Sequence, residues 1–196
     1  MRDPSDAEDA LKVAEFLAGD VRAFEFLFDK YRERVYRLAY RFLHNREDAL
    51  EVTQDVFLRV YLGISKFKTQ SKFFTWLYRI AVNRAIDFAR SKRSSKLKDA
   101  EEEILELVAQ PSPRREPAPD PSQVAADREL AEEIRKAVAG LSEKHRTVFL
   151  LHAAEHLSYR EIAGILGCSI GTVMSRLFYA RKRLQRILGR KLAGLA

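Results

Sequence analysis

The apolar side chains between Phe24 and Phe42 recur every three or four residues, with charged residues between them. This spacing places apolar side chains on one face of an α-helix and predicts a long core helix. Glycine and proline are scarce before the middle of the chain, and no useful stretch alternates apolar and polar residues as a half-buried strand does. The sequence therefore predicts an all-α protein.

Several residues mark where the predicted helices begin and end. Gly19 is suited to end a short helix, and Asp20 can cap the next one. His44 and Asn45 mark a break before a third helix, which extends to about Tyr61. The apolar spacing of that third helix predicts that Val52, Val56 and Val60, or their neighbours, are buried.

An acidic, proline-rich segment divides the chain. Residues 94–140 carry 7 basic and 11 acidic side chains. The flanking parts are basic: residues 1–93 carry 18 basic and 14 acidic side chains, and residues 141–196 carry 10 basic and 3 acidic ones. Because repeated proline disfavours helix and sheet, we expect a flexible linker between two helical domains. The predicted parts are an amino-terminal segment (1–19), a first domain (20–93), the linker (94–126) and a second domain (127–196).

The composition and motifs narrow the function classes. Two basic blocks favour a polyanionic partner, with nucleic acid preferred over membrane because the basic helices also carry ordered polar faces. No run approaches ~18 apolar residues and the amino terminus is polar, which predicts a cytoplasmic protein without membrane insertion. The single Cys168 excludes an internal disulfide. The histidines lack metal-site spacing and no phosphate-binding glycine motif occurs, so we expect no metal, no cofactor and no enzymatic activity.

The segment 66–93 predicts one amphipathic helix preceded by a lysine-rich loop. Counting from Phe73 places Leu77, Ile80, Ala81 and Phe88 on one face and Thr75, Arg79, Asn83, Asp87 and Arg90 on another. Aromatic rings among cations suit unpaired bases, because a base stacks on a ring while its phosphate needs a counter-charge. A core helix with a solvated basic face is the alternative that composition alone favours.

The carboxy-terminal part has the pattern of a helix-turn-helix. A helix beginning after Ser158 is predicted to bury Ile162 and Leu166, and Gly167 to Ser169 form a three-residue turn. Ser169 can cap the second helix, which would lie in the major groove of DNA. Its predicted inner face consists of Val173, Leu177, Ala180, Leu184 and Leu188. A helical hairpin that does not bind DNA is the alternative.

Two stretches resemble regions of the sigma-70 family, and especially its extracytoplasmic-function (ECF) branch. Phe67, the Thr75-Trp76-Leu77 run and the Ile80-Ala81-Val82-Asn83 run resemble region 2. The stretch LSYREIA…GTVMSRL…AR resembles region 4, and the resemblance covers about residues 20–93 and 127–188. It implies a transcription initiation factor that binds core RNA polymerase, directs it to the −35 and −10 promoter elements and assists promoter melting.

The resemblance also implies site residues. The run DALEVTQDVFLRVY resembles region 2.2, which would give the polymerase-binding set Glu51, Gln54, Asp55 and Phe57. The −10 element and the melted strand would meet Phe67, Lys68, Lys72, Trp76, Ile80, Asn83, Asp87 and Arg90. The −35 element would meet Thr172, Met174, Ser175, Arg176, Phe178, Tyr179, Lys182 and Arg183. Trp76 either anchors the core or stacks on the first melted base.

Four positions depart from the family pattern. Glu51 stands where many relatives have aspartate, and Thr69 where they often have glycine. Met174 stands where many have lysine or arginine, and Tyr179 where several have arginine. The change at Thr69 is expected to alter loop geometry and base selectivity, and those at Met174 and Tyr179 to alter phosphate contacts and promoter preference.

The implied partners are core RNA polymerase, promoter DNA as duplex and as melted strand, and the anti-sigma factor that many relatives have. The sequence leaves two alternative functions to compare with this one. A stand-alone helix-turn-helix regulator would explain the second domain but leave the Phe67 to Arg90 surface unused. An enzyme acting on single-stranded nucleic acid would need metal or acid-base residues that the sequence does not nominate.

Overall fold

The computed structural model describes residues 4–67, 71–99 and 133–192. All regular elements in these ranges are helical, which confirms the predicted all-α class. The first helices are α1 (Pro4–Leu17), α2 (Val21–Leu43), α3 (Arg46–Gly63), a 3₁₀ turn (Ile64–Lys66) and α4 (Phe73–Asp99). Residues 133–139 form a helical segment, α5. It is followed by α6 (Glu143–Ala153), α7 (Tyr159–Leu166) and α8 (Ile170–Leu192).

The described residues divide into two compact units. One consists of the described residues up to Asp99 together with Arg160–Cys168, and the other of residues 133–159 and 169–192. Helix α4 continues through residues 94–99, where the sequence predicted the start of the linker. That stretch contains neither glycine nor proline, so nothing in it stops the helix. The rest of the predicted linker lies outside the described residues, and the predicted domain boundaries stay predictions.

The first unit is built around α2, which packs against α1, α3 and α4. The Asp20 side chain caps α2 by accepting a hydrogen bond from the Arg22 amide. At the other end, His44 takes the left-handed conformation with φ 53°, and the Asn45 side chain caps α3. The predicted valines of α3, Val52, Val56 and Val60, have no exposed surface. The predicted break between these helices is therefore confirmed.

The buried face of α4 is rotated from the predicted one. Leu77 and Ala81 are buried as expected, but Ile80 and Phe88 are only half-buried, and Tyr78 is fully buried. Helix α4 packs against both α2 and α3. Two packing partners widen the buried arc of a helix beyond a single stripe. The buried residues of α4 are Phe73, Phe74, Leu77, Tyr78, Ala81, Val82 and Ala85.

In the second unit α6 packs against α8. The Ser169 hydroxyl accepts a hydrogen bond from the Thr172 amide at 3.1 Å, which confirms the predicted cap of α8. Four of the five residues of the predicted inner face of α8 are buried, and Leu188 is half-buried.

Helix α7 buries Ile162 and Ile165, whereas Leu166, predicted as buried, is half-buried.

No single described helix is long and apolar enough to cross a membrane. Among the described helices, only α7 and α8 taken together, as a bent pair, are long and apolar enough by length and composition.

Candidate polymerase and nucleic-acid interfaces

One face of α3 carries most of the residues predicted to bind polymerase. Glu51 and Gln54 are exposed and Asp55 is half-buried. Asp55 Oδ1 accepts a hydrogen bond from Arg59 Nε at 3.1 Å, and its other oxygen contacts Arg84 Nε of α4. The carboxylate is thus held between two guanidinium groups. Burial raises the pKa of Asp55, but the hydrogen bonds from Arg59 and Arg84 outweigh burial, so the pKa lies below its ordinary value.

Phe57, the fourth residue of that predicted set, does not lie on this face. Phe57 is only 4% exposed. Its ring contacts the Phe28 ring edge-on, and the two ring centroids lie 4.7 Å apart. Along α3 it follows Thr53 and precedes Val60 at helical spacing, and both are buried. The ring of Phe57 is therefore a core contact between α2 and α3.

Sequence reasoning missed three exposed leucines beside Gln54. Leu50, Leu58 and Leu62 are 52%, 57% and 69% exposed, and with Gln54 they recur every four residues along α3. The sequence could have indicated them, because α3 carries a second apolar stripe in addition to the three valines. A second stripe exceeds what a single core contact needs. The exposed face of α3 is therefore mixed apolar and polar.

The aromatic residues before and at the start of α4 form a cluster. The Phe67 ring centroid lies 5.8 Å from that of Phe73 and 5.4 Å from that of Trp76. Phe67 is 8% exposed, so its ring is packed rather than presented to solvent. Trp76 is half-buried, which leaves both of its predicted roles open. Lys68 and Thr69 lie outside the described residues.

The predicted nucleic-acid residues of α4 share one side of the helix. Asn83, Asp87 and Arg90 are exposed, and they follow Trp76 and Ile80 at intervals of three or four residues. Helical spacing of this kind forms a continuous strip. Arg90 and Asp87 form an ion pair at 3.9 Å. The strip therefore offers a ring, an amide and a guanidinium along a single line, which suits a single nucleic-acid strand.

Lys72 lies directly before α4, and its side chain is 48% exposed. Its Nζ atom is 2.7 Å from Oδ2 of Asp6 in α1. The charge of this predicted phosphate contact is therefore already paired within the first unit.

Helix α8 presents the residues predicted to read the −35 element. Ser175, Lys182 and Arg183 are exposed, whereas Thr172 and Arg176 are half-buried. Thr172 is part of the helix cap, since its hydroxyl lies 2.9 Å from that of Ser169. The sequence of α8 contains no acidic residue. An exposed helix face with only basic charges complements the phosphates of duplex DNA.

Large side chains occupy the two positions of α8 that depart from the family pattern. Met174 and Tyr179 are 53% and 56% exposed, and Phe178 beside them is 60% exposed. The Tyr179 ring lies 6.2 Å from that of His145 in α6. The predicted DNA-reading face is therefore partly apolar.

The turn before α8 depends on one backbone angle. Gly167 has φ +63°, and a Cβ added there would meet no atom within 4 Å. Glycine is favoured here because this left-handed conformation strains other residues, although space is available. Cys168 is half-buried, and its amide donates a hydrogen bond to the Ala163 carbonyl at 3.1 Å.

Two family models match separate parts of the chain. Sigma-70 region 2 matches residues 27–95, and Sigma-70, region 4 matches residues 131–184. The ECF RNA polymerase sigma factor SigW of Bacillus subtilis is 34% identical, over 90% of this chain and 95% of its own length. The ECF RNA polymerase sigma-E factor of Escherichia coli K12 is 33% identical, over 90% of this chain and 92% of its own length.

Two solved structures share the fold. CnrH, in complex with the cytosolic domain of CnrY, superposes with a TM-score of 0.68 at 26% identity, covering 93% of this chain and 98% of CnrH. The sigma factor RpoE of Bartonella quintana, in complex with the anti-sigma factor NepR, gives a TM-score of 0.64 at 27% identity. That match covers 86% of this chain and 98% of RpoE.

The all-α fold and the two matched regions define a transcription initiation factor of the sigma-70 class. The two matched regions and the relatives show that the chain belongs to the ECF branch of that family. It is a non-enzymatic factor that binds core RNA polymerase and directs it to promoters. A stand-alone helix-turn-helix regulator is not favoured, because it would leave the region 2 match unexplained.

Proposed function

We propose that the exposed face of α3 is the surface by which this protein binds core polymerase. The observation that supports it is the mixed face on which Glu51, Gln54 and Asp55 lie beside exposed leucines. Buried interfaces combine apolar area with a few oriented polar groups, and this face offers both. Phe57 contributes by fixing α3 against α2.

The polymerase surface is tested with Gln54→Ala and Asp55→Ala, alone and combined. The matched control is Asp29→Ala in α2, whose side chain is 68% exposed and forms a similar ion pair with Arg32. The α3 variants should bind core polymerase more weakly while their helical circular dichroism is unchanged. Affinity equal to that of Asp29→Ala would contradict the assignment.

We infer that the strip on α4, with Lys72 before it, holds the melted strand of the −10 element. Lys72 and Arg90 would contact phosphates, while Asn83 and Ile80 would meet an unstacked base and Trp76 would stack or support the pocket. Phe67 would support this surface from within the aromatic cluster, because its ring is packed against Phe73 and Trp76.

The exposed face of α8 would read the −35 element as duplex. In this assignment Lys182 and Arg183 bind phosphates and Ser175 meets base edges. Met174 and Tyr179 offer apolar and aromatic contacts where relatives often carry charge, so the protein would depend less on backbone attraction at this element than such relatives do.

The partners named with the solved relatives suggest regulation. CnrH was solved with the cytosolic domain of CnrY, and RpoE with the anti-sigma factor NepR. We propose that this protein also acts in the cytoplasm and is bound there by an anti-sigma factor. Co-purification of a single inhibitor that abolishes core-polymerase binding would support this, and transcription unaffected by every co-purified protein would contradict it.

The initiation function is tested by run-off transcription from pooled genomic fragments of the source organism. Sigma-free core polymerase is supplied with the protein or with its Asp55→Ala variant. Discrete new transcripts that depend on the parent protein are expected, and their aligned upstream sequences give the promoter. No transcripts, while a control sigma factor directs the same polymerase normally, would contradict initiation.

A further inference from the structure

Two acidic residues on one face of α1 connect this helix to the start of α4. Asp9 is 1% exposed, and it accepts hydrogen bonds from the Tyr31 hydroxyl and, at 2.6 Å, from the Lys30 ammonium of α2. The Tyr31 ring lies 5.8 Å from the ring of Phe73, the first residue of α4. These contacts fix α1 against α2 beside the amino terminus of α4.

Asp6 lies three residues before Asp9 and therefore on the same face of α1. Its side chain is 14% exposed, and its Oδ2 atom lies 2.7 Å from Lys72 Nζ. The Lys72 side chain is 48% exposed. The Lys72 side chain is thus partly exposed while its charge is paired with a carboxylate of α1.

This ion pair is held by charge rather than by a well-aligned hydrogen bond. Asp6 Oδ2 is close to the ammonium, yet it has no hydrogen-bond partner of good geometry among the described residues. The Asp6 oxygen of this pair is buried, whereas the Lys72 side chain is partly exposed, so a ligand reaches the pair from the lysine side. A phosphate oxygen can replace the carboxylate, because it would form a charge-assisted hydrogen bond with the ammonium.

We propose that Asp6 is a positioning residue that competes with the DNA backbone for Lys72 and so weakens binding of the melted −10 strand. This inference rests on the proposed assignment of Lys72 to that strand. A phosphate that reaches Lys72 must displace Asp6 or share the ammonium with it, and in both cases the carboxylate repels the phosphate. Affinity then depends more on base contacts, which carry sequence information, than on backbone charge, which carries none.

The test measures single-strand binding by holoenzyme assembled from core polymerase and the full-length protein. The probes are a fluorescent oligodeoxythymidylate and the non-template strand of a promoter that the protein transcribes. Asp6→Asn removes the charge at nearly constant size. We expect about twofold to fivefold tighter binding to both probes, with a steeper dependence of affinity on salt because more counterions are released from the strand. Asp6→Glu keeps the charge and should restore affinity close to that of the parent protein.

Lys72→Met separates the inference from the assignment on which it rests. In the Lys72→Met background, Asp6→Asn should change affinity much less than in the parent, because no ammonium remains for the carboxylate to hold and only its direct repulsion of the strand is relieved. If Lys72→Met weakens binding but Asp6→Asn does not strengthen it, the role of Asp6 is overturned alone. If Asp6→Asn strengthens binding equally in both backgrounds, its effect is not exerted through Lys72 and the inference fails. If Lys72→Met binds as tightly as the parent, the assignment of Lys72 and the inference fail together.

Discussion

Arg84 of α4 donates a hydrogen bond to Asp55 of α3. One ion pair therefore joins the helix proposed to bind polymerase to the helix proposed to bind the melted strand. Both side chains are largely shielded, with 22% and 26% of their surfaces exposed. The orientation of a proposed polymerase contact is thus set by a residue of the helix proposed to bind the melted strand.

Replacing Arg84 with glutamine should raise the pKa of the Asp55 carboxyl, because one of the two guanidinium groups that stabilise its charged form is lost. The free energy of unfolding should fall by about 0.5–1 kcal/mol near neutral pH. NMR titration of the carboxyl carbon and urea denaturation measure the two effects. Arg59→Gln is the comparison: it should also raise the Asp55 pKa, but because the Arg59 side chain is 58% exposed it should lower stability less. An unchanged Asp55 pKa in Arg84→Gln would contradict the contact.

The same pair should make stability depend on pH. The pKa of Asp55 is lower in the folded protein than in the unfolded chain, so the pair stabilises the fold fully above the unfolded value of about 3.9. That contribution disappears as the pH falls through the folded pKa, because the folded carboxylate then becomes protonated. The difference in unfolding free energy between parent and Arg84→Gln should therefore be constant above pH ~5 and shrink below pH ~4. A difference that persists in acid would point to lost packing instead.

Tyr31→Phe should destabilise the first unit. Asp9 is buried and accepts a hydrogen bond from the Tyr31 hydroxyl, so removing that hydroxyl leaves a buried carboxylate poorly satisfied. We expect a loss of about 1–3 kcal/mol in urea denaturation. Tyr36→Phe on the same helix controls for loss of a hydroxyl that lies away from Asp9. Equal effects of the two substitutions would show that the Asp9 contact carries no special stability.

Asn83→Ala should impair promoter opening while leaving polymerase binding intact. Asn83 is exposed on the strip of α4, so its removal disturbs no packing. Permanganate reactivity of unpaired thymines measures opening, and fluorescence anisotropy with labelled core polymerase measures binding. Equal losses in both measurements would assign Asn83 to structure.

Met174→Lys should strengthen duplex binding with little regard for sequence. Met174 is 53% exposed on α8, and an added cation there gains one phosphate contact, which steepens the salt dependence of log K by about 0.9. Met174→Leu changes shape without charge and serves as the control. Filter binding to promoter and non-promoter duplexes at several salt concentrations distinguishes the two. A gain confined to the promoter duplex would instead indicate a specific base contact by the lysine.

Local signals predicted the helices well because each is encoded by neighbouring residues. Asp20 caps α2, Ser169 caps α8, and the valines of α3 are buried as their spacing indicated. Helical spacing also predicted that Asn83 and Arg90 lie on an exposed side of α4. These features need no knowledge of distant parts of the chain.

Other features depend on packing between helices, which local patterns do not encode. The burial of Tyr78 follows from contacts of α4 with two other helices, and the core position of Phe57 follows from its partner Phe28. The pairing of Asp6 with Lys72 joins residues far apart in the sequence. An aromatic ring or a lysine is compatible with either a core or a binding surface, so only tertiary structure decides between them.

The left-handed turn at Gly167 has a consequence for how such chains diverge. A Cβ at this position would meet no neighbouring atom. The choice of residue there is therefore restricted by the backbone angle alone and not by space. Asparagine, which adopts that angle more readily than other side chains, is an open mutational route. Homologues of this protein can thus replace the glycine and keep the turn. A sequence motif that requires glycine at this position would fail to detect them.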